Sequence, residues 1–194
     1  KSTVEEAGIL TVTGVRGDAV LTLEGSFTND VTVDYSEGMS VGDDGVNLVL
    51  RLGETDGMTF DILANSATIN IDSQGGGNAI DASFGDSSLL NMNITGDARL
   101  QISTDLSGSF QSETTAVIDA STNTAGVDLR MDDFDGNVVF NGSLGSDVFV
   151  VYTSADAIVI TDTAGNNSYD ADANSVTITD GNGNNNIVVD AYMA

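Results

Sequence analysis

The sequence predicts an all-β chain wound as a parallel β-solenoid, of the β-roll or β-helix kind. Three features point there: short runs of alternating apolar and polar residues, a steady beat between run starts, and recurrence of similar short text. Val, Ile, Thr, Leu, Asn, Asp, Gly and Ser dominate the chain, a vocabulary of short strands and tight turns. Trp and Pro are absent and aromatic residues make up 6%, so the core is expected to be thin, layered and built from branched side chains.

The runs can be followed in order. Ile9 to Thr13, Ala19 to Leu23 and Val31 to Val33 open the chain, followed by Val46 to Leu52, Met58 to Leu63 and Ala67 to Ile71. Leu90 to Ile94, Ala98 to Ile102, Ala116 to Ala120, Val127 to Met131 and Asn137 to Phe140 continue the alternation. Val148 to Val151, Ile158 to Ile160, Val176 to Ile178 and Ile187 to Val189 complete it. Most runs are followed closely by Gly, Asn, Asp or Ser, which reads as strand, turn, strand. From residue 79 the starts at 79, 89, 98, 116, 127, 137, 147, 157, 176 and 187 leave two wider gaps, each with room for a weaker strand.

A β-sandwich has strands at intervals of about 8–12 residues as well, so spacing leaves it open as an alternative. Recurrence favours coils, because stacked rungs present the same environment repeatedly. Asn78-Ala-Ile-Asp-Ala-Ser83 is echoed by Ala116-Val-Ile-Asp-Ala-Ser121 and, more weakly, by Asn167-Ser-Tyr-Asp-Ala171. The earlier part carries fewer echoes and less even gaps. Residues 1–56 are therefore expected to form a cap or small β subdomain and residues 57–194 the solenoid, with a soft boundary within 53–57.

The chain of 194 residues carries 30 acidic side chains against five basic ones, a net charge of −25. Binding a nucleic-acid backbone requires clustered Lys or Arg, so that partner is excluded, as is an anionic membrane surface. Carboxylates at this density repel one another unless salt or cations neutralise them, which brings in calcium as a candidate alongside simple solubility. Cys and His are both absent, which removes disulfides, the usual transition-metal sites and the usual base of nucleophilic catalysis. No apolar run of about 18 residues is present to span a bilayer, and KSTVEEAGIL lacks a signal peptide's apolar core. Such a start reads as a processed end or a piece of a longer chain.

Towards the C-terminus the text becomes more specific. Gly142-Ser-Leu-Gly-Ser-Asp-Val-Phe-Val150, Asp162-Thr-Ala-Gly-Asn-Asn-Ser-Tyr-Asp170 and Asp180-Gly-Asn-Gly-Asn-Asn-Asn-Ile-Val188 align as degenerate copies of the nonapeptide G-G-x-G-x-D-x-U-x. One coil of a β-roll is about 18 residues, so these copies are expected to stack as equivalent turns. Looser copies begin at Gly42 and Ser73. Glycines let such a turn bring carbonyls inward, Asp supplies an anionic oxygen and the apolar U residue fills the core. Asp147 and Phe149 meet those roles, whereas Asn47, Asn78, Asn167 and Asn185 stand at the acidic position elsewhere. Asn is a weaker calcium ligand and can equally build hydrogen-bonded ladders without metal. The candidate calcium ligands are Asp147, Asp162, Asp180, Asn167, Asn182 and Asn185.

With Leu90-Asn-Met-Asn-Ile-Thr-Gly-Asp-Ala-Arg-Leu-Gln-Ile102, Val117-Ile-Asp-Ala-Ser121 and Val138-Val-Phe-Asn-Gly-Ser-Leu-Gly-Ser-Asp-Val-Phe149, the chain resembles the RTX-type and S-layer-type β-strand-repeat proteins of bacterial surfaces. The resemblance covers roughly residues 63–190. It implies secretion, calcium-assisted folding and a place in a surface lattice, an adhesin or a virion appendage, with self-association or other surface and virion proteins as partners.

Other sites read as structure. Met131-Asp-Asp-Phe-Asp-Gly-Asn137 imitates an EF-hand loop, but Met131 and Gly142 stand where its first and twelfth ligands belong. Asp43 and Asp44 beside Asn47 are weak cation candidates, because adjacent turn carboxylates usually face water. Carboxylate pairs can cleave polysaccharides on β-helices, yet Phe60, Phe110, Phe134, Phe140 and Phe149 read as core, and no Arg cluster is present to meet uronates. The leading expectation is a non-enzymatic extracellular or cell-surface structural module. The alternatives are a carbohydrate-binding or carbohydrate-cleaving β-helix and a virion fibre or tail component.

Overall fold

A computed structural model describes residues 10–13, 15, 19–25, 31–34, 45–52, 59–63, 67–84, 89–153 and 157–190. Its strands alternate between two sheets. The nine-stranded sheet runs β1 (Leu10–Val12), β3 (Val31–Asp34), β5 (Thr59–Leu63), β7 (Asn78–Phe84), β9 (Leu100–Asp105), β11 (Val127–Phe134), β13 (Val148–Thr153), β15 (Ser168–Asp172) and β17 (Asn186–Asp190). The eight-stranded sheet runs β2 (Val20–Glu24), β4 (Val46–Arg51), β6 (Thr68–Ser73), β8 (Asn91–Gly96), β10 (Thr114–Asn123), β12 (Gly136–Asn141), β14 (Ala157–Thr161) and β16 (Ser175–Thr179).

Each strand pairs in parallel with the strand two places along the chain, as in β10 with β12 and β13 with β15. Consecutive strands lie in opposite sheets rather than forming hairpins, so the chain is a parallel β-solenoid and the sandwich alternative falls. The expected boundary within 53–57 lies outside the described residues, and β1 to β4 join the same two sheets as the later strands.

Parallel stacking places every second side chain above its counterpart in the next coil. One inward column of the eight-stranded sheet reads Val46, Ile69, Met92, Ile118, Phe140, Ile160 and Ile178. All but the last are at most 2% exposed. Opposite them, Leu129, Phe149, Tyr169 and Ile187 form a column of the nine-stranded sheet. The sheets meet through ring contacts, with Phe140 and Phe149 centroids 4.5 Å apart and Phe140 and Tyr169 6.3 Å apart. A narrow interior of this kind tolerates few large side chains, in keeping with the low aromatic content.

The outward residues also stack. The amide of Asn70 donates to the Asn47 oxygen at 2.9 Å, and Asn93 donates to Asn70 at 2.8 Å. Asn47 is therefore an outward rung near the start of β4 rather than a turn residue, and Gly42, Asp43 and Asp44 of the loose nonapeptide copy lie outside the described residues. Of the two wide gaps in the beat of run starts, one holds β15 and the other a 3-10 turn at Ser107–Ser109. β7 carries the run start at 79, whereas β15 escapes the run pattern because its buried residues are only Tyr169 and Ala171, set among Ser168, Asp170 and Asp172.

Candidate functional site

The three C-terminal nonapeptide copies form three superposed turns, which carry the chain from β12 to β13, from β14 to β15 and from β16 to β17. One column of the turns reads Asp147, Asn167, Asn185. The Oδ1 of Asp147 accepts the Val127 N–H at 2.9 Å, that of Asn167 accepts the Asp147 N–H at 3.0 Å, and that of Asn185 accepts the Asn167 N–H at 3.0 Å. These bonds span 20, 20 and 18 residues, one coil each. The backbone answers in the other direction: the Ser168 N–H donates to the Asp147 carbonyl and the Asn186 N–H to the Asn167 carbonyl, both at 2.8 Å. Buried N–H groups at the corners, which neither sheet can pair, are thus satisfied by side chains of the following coil. Asn78 does the same earlier, accepting the Leu52 N–H at 2.6 Å.

The turns need glycine where they touch. Gly165 has φ +98°, and a Cβ there would run into the Gly145 carbonyl oxygen. At Gly142 a Cβ would overlap the Asp162 carboxylate and lie 2.8 Å from Asp147 Oδ2.

A second column, Gly142 over Asp162 over Asp180, follows from the Gly142 N–H to Thr161 carbonyl and Asp162 N–H to Thr179 carbonyl bonds, both 2.8 Å. Lacking a side chain, Gly142 leaves room for Asp147 and Asp162 to meet. Asp147 is fully buried, with Oδ2 accepting the Ser143 N–H at 2.7 Å and Oδ1 the Ser143 hydroxyl at 2.6 Å. Burial pushes its pKa up to about 6 against the pull of those donors, and a hydrogen bond with the Asp162 carboxyl adds to the rise. Asp162 also accepts the phenol of the buried Tyr169, which burial and this bond push above the ordinary tyrosine range. One coil on, an amide takes the place of one carboxyl in the equivalent contact: the Asn167 amide donates to Asp180 Oδ1 at 3.3 Å.

Calcium takes 6–8 oxygen ligands. Here both Asp147 oxygens and the side-chain oxygens of Asn167 and Asn185 are occupied by N–H or hydroxyl donors. Asp162 is engaged by the Thr163 and Ala164 N–H groups and by Tyr169. Asn182 is exposed at the third turn, and the buried Oδ2 of Asp180 alone among these carboxylate oxygens has no hydrogen-bond partner. Among the described residues no three acidic side chains are grouped to hold a metal. The donor set of the turns does not match a calcium cage. Asp43 and Asp44 lie outside the described residues.

Sequence reading missed Ser143 and Tyr169 as partners of the turn carboxylates, and it missed a second feature on the outer face of the nine-stranded sheet. A cleft of about 490 Å³ is lined by Asp133, Tyr152, Thr153, Asp170, Asp172, Val188 and Asp190. The register of β11 shifts between Met131 and Phe134, where Asp133 takes φ 54°. Tyr152 donates to Asp170 Oδ2 at 2.8 Å, and this bond raises its pKa. Asp172 and Asp190 are direct register neighbours, and Asp172 Oδ1 is a buried oxygen without a partner. The available signal was the one-coil spacing that links Tyr152, Asp172 and Asp190.

No protein-family model matches the chain, and neither a curated protein nor a solved structure matches it. Among the described residues, no helix is long and apolar enough to cross a membrane.

Proposed function

We propose that this chain is a non-enzymatic structural and assembly module of an extracellular surface, such as a surface layer, an adhesin or a virion appendage. The observation that carries this reading is the Asp147, Asn167, Asn185 column, in which corner side chains serve the backbone of the adjoining coil. Its one carboxyl raised towards neutral pH, Asp147, is 0% exposed and sealed against substrate. A group of that kind holds coils together, whereas a general acid must reach a reacting atom. The strong negative charge fits a solubilised outer surface and repels nucleic acid.

Glycan binding is a second reading, favoured by the cleft in which Tyr152 lies among Asp170, Asp172 and Asp190. A panel of neutral and uronate polysaccharides separates the two. The structural reading expects no release of reducing ends and no shift in unfolding temperature. Saturable binding that Tyr152→Ala abolishes establishes the glycan reading in its place.

A further inference from the structure

Two Asn-Gly pairs occur in the sequence, Asn141-Gly142 and Asn182-Gly183. Glycine has no Cβ to shield its nitrogen, so in such a pair that nitrogen can reach the side-chain amide of the residue before it. The fold treats the two pairs differently. Asn141 closes β12 and is held between β10 and β14, in register with Asp119 and Thr161. Its glycine is engaged as well, since the Gly142 N–H donates to the Thr161 carbonyl at 2.8 Å. A nitrogen committed to the next coil in this way cannot attack its own neighbour while the bond holds.

Asn182-Gly183 lies in the turn from β16 to β17, and both residues are exposed. That exposure belongs to the turn position itself. One-coil spacing places Leu144 and Ala164 over Asn182, and Leu144, in a turn packed against Ala125 on one side and Gly165 on the other, is 51% exposed. In that first turn the Gly145 N–H donates to the Ser143 hydroxyl at 3.0 Å. Gly181 stands at the Ser143 position of the third turn and has no hydroxyl to offer. Among the described residues, the Gly183 N–H and the Asn182 amide have no hydrogen-bond partner. Stacking nevertheless demands glycine here, because a Cβ on Gly183 would overlap the Gly165 carbonyl oxygen of the turn above. The coil thus fixes a glycine directly behind an exposed, uncontacted asparagine.

We propose that Asn182 is a site of spontaneous deamidation. The Gly183 nitrogen gives up its proton to solvent and attacks Asn182 Cγ. A C–N bond forms, the Cγ–Nδ2 bond breaks, and the amide nitrogen takes up a proton and leaves as ammonia. One water then adds to either carbonyl of the succinimide ring and opens it to aspartate or isoaspartate. Water is the only co-reactant. Each event adds one negative charge to a chain that already carries −25. Isoaspartate also lengthens the backbone by one methylene just ahead of Asn184 and Asn185, whose bonds with Asn166 and Asn167 hold the third turn to the second. The third turn therefore loosens as the protein ages.

Peptide mapping of the whole chain by mass spectrometry, during incubation at neutral and at mildly alkaline pH, tests this against the urea-unfolded chain as reference. Unfolding frees both pairs, so Asn141 and Asn182 should then convert at similar rates. In the folded chain Asn182 should convert at least about tenfold faster than Asn141, the factor that one backbone hydrogen bond supplies. Conversion should quicken with pH, because the nitrogen attacks as its anion. Asn182→Gln, at an exposed position, should remove the more acidic species that ion exchange resolves, and far-UV circular dichroism checks that this variant keeps the fold. An Asn182 that stays intact in the folded chain while the unfolded chain converts overturns the proposal, as does conversion of folded Asn141 at the same rate as Asn182.

Discussion

The side-chain oxygen of Asn167 accepts the backbone N–H of Asp147, 20 residues earlier, at 3.0 Å. The Asn167 amide turns the other way, to the Ala164 carbonyl at 2.9 Å and to Asp180 at 3.3 Å. A single neutral side chain therefore joins three successive turns. An unpaired buried donor costs about 1–3 kcal/mol. Asn167→Ala is accordingly expected to lower unfolding free energy by about 2–3 kcal/mol in urea titration, since the Asp147 N–H loses its acceptor. A loss below about 0.5 kcal/mol would show that the column contributes nothing to coil stacking.

Acidity should stabilise the fold through Asp147. Its pKa when folded, about 6, lies above the ordinary 3.8, because burial disfavours the carboxylate. The folded chain therefore binds that proton more tightly than the unfolded chain. The stabilisation is complete below about pH 3.8 and is lost as pH rises through about 6, a change on the order of 3 kcal/mol. Urea unfolding at constant ionic strength between pH 4 and 7 should show a shallower fall for Asp147→Asn than for the parent. Parallel curves would refute the assignment.

Calcium should matter little to the C-terminal turns. Their oxygens already accept N–H and O–H groups, and binding six or more of them to a cation would break those bonds. Unfolding temperature at fixed ionic strength is expected to be the same with excess calcium and with chelator, within about 2 °C. A large calcium-dependent rise that Asp180→Asn removes would contradict this and restore the calcium reading.

Two glycines should respond oppositely to alanine. Gly165 combines φ +98° with a backbone oxygen where the methyl would go, so Gly165→Ala is expected to cost about 2–4 kcal/mol. Gly76 has nothing within 4 Å of its Cβ position and no positive φ, so Gly76→Ala should be neutral or stabilise by up to about 1 kcal/mol. Thermal unfolding of the two variants measures the difference, and equal effects would mean that contact between turns does not limit the coil.

Much of the architecture was legible as text. The alternating runs from Ile9 to Val189 each fall on a strand, because a side chain that must face a packed interior has to alternate with one that faces water. The spacing of Gly142, Asp162 and Asp180 announced stacked turns, since a coil of fixed length returns the same residue to the same corner. β15 stayed hidden because Tyr169 and Ala171 are its only inward residues, between outward Asp170 and Asp172.

What the residue order determined by itself was the period: which positions point inward, where the chain turns, and that Asx residues occupy the corners. Which way each corner oxygen points was decided only by the stacked coils. An Asp or Asn in isolation can meet a cation, water or an N–H group, and the choice depends on what the next coil brings within about 3 Å. For Asp147 and Asn167 that neighbour is a buried backbone N–H, which must be paired wherever water is excluded. The cleft around Asp172 is likewise a product of register, which places residues a full coil apart side by side.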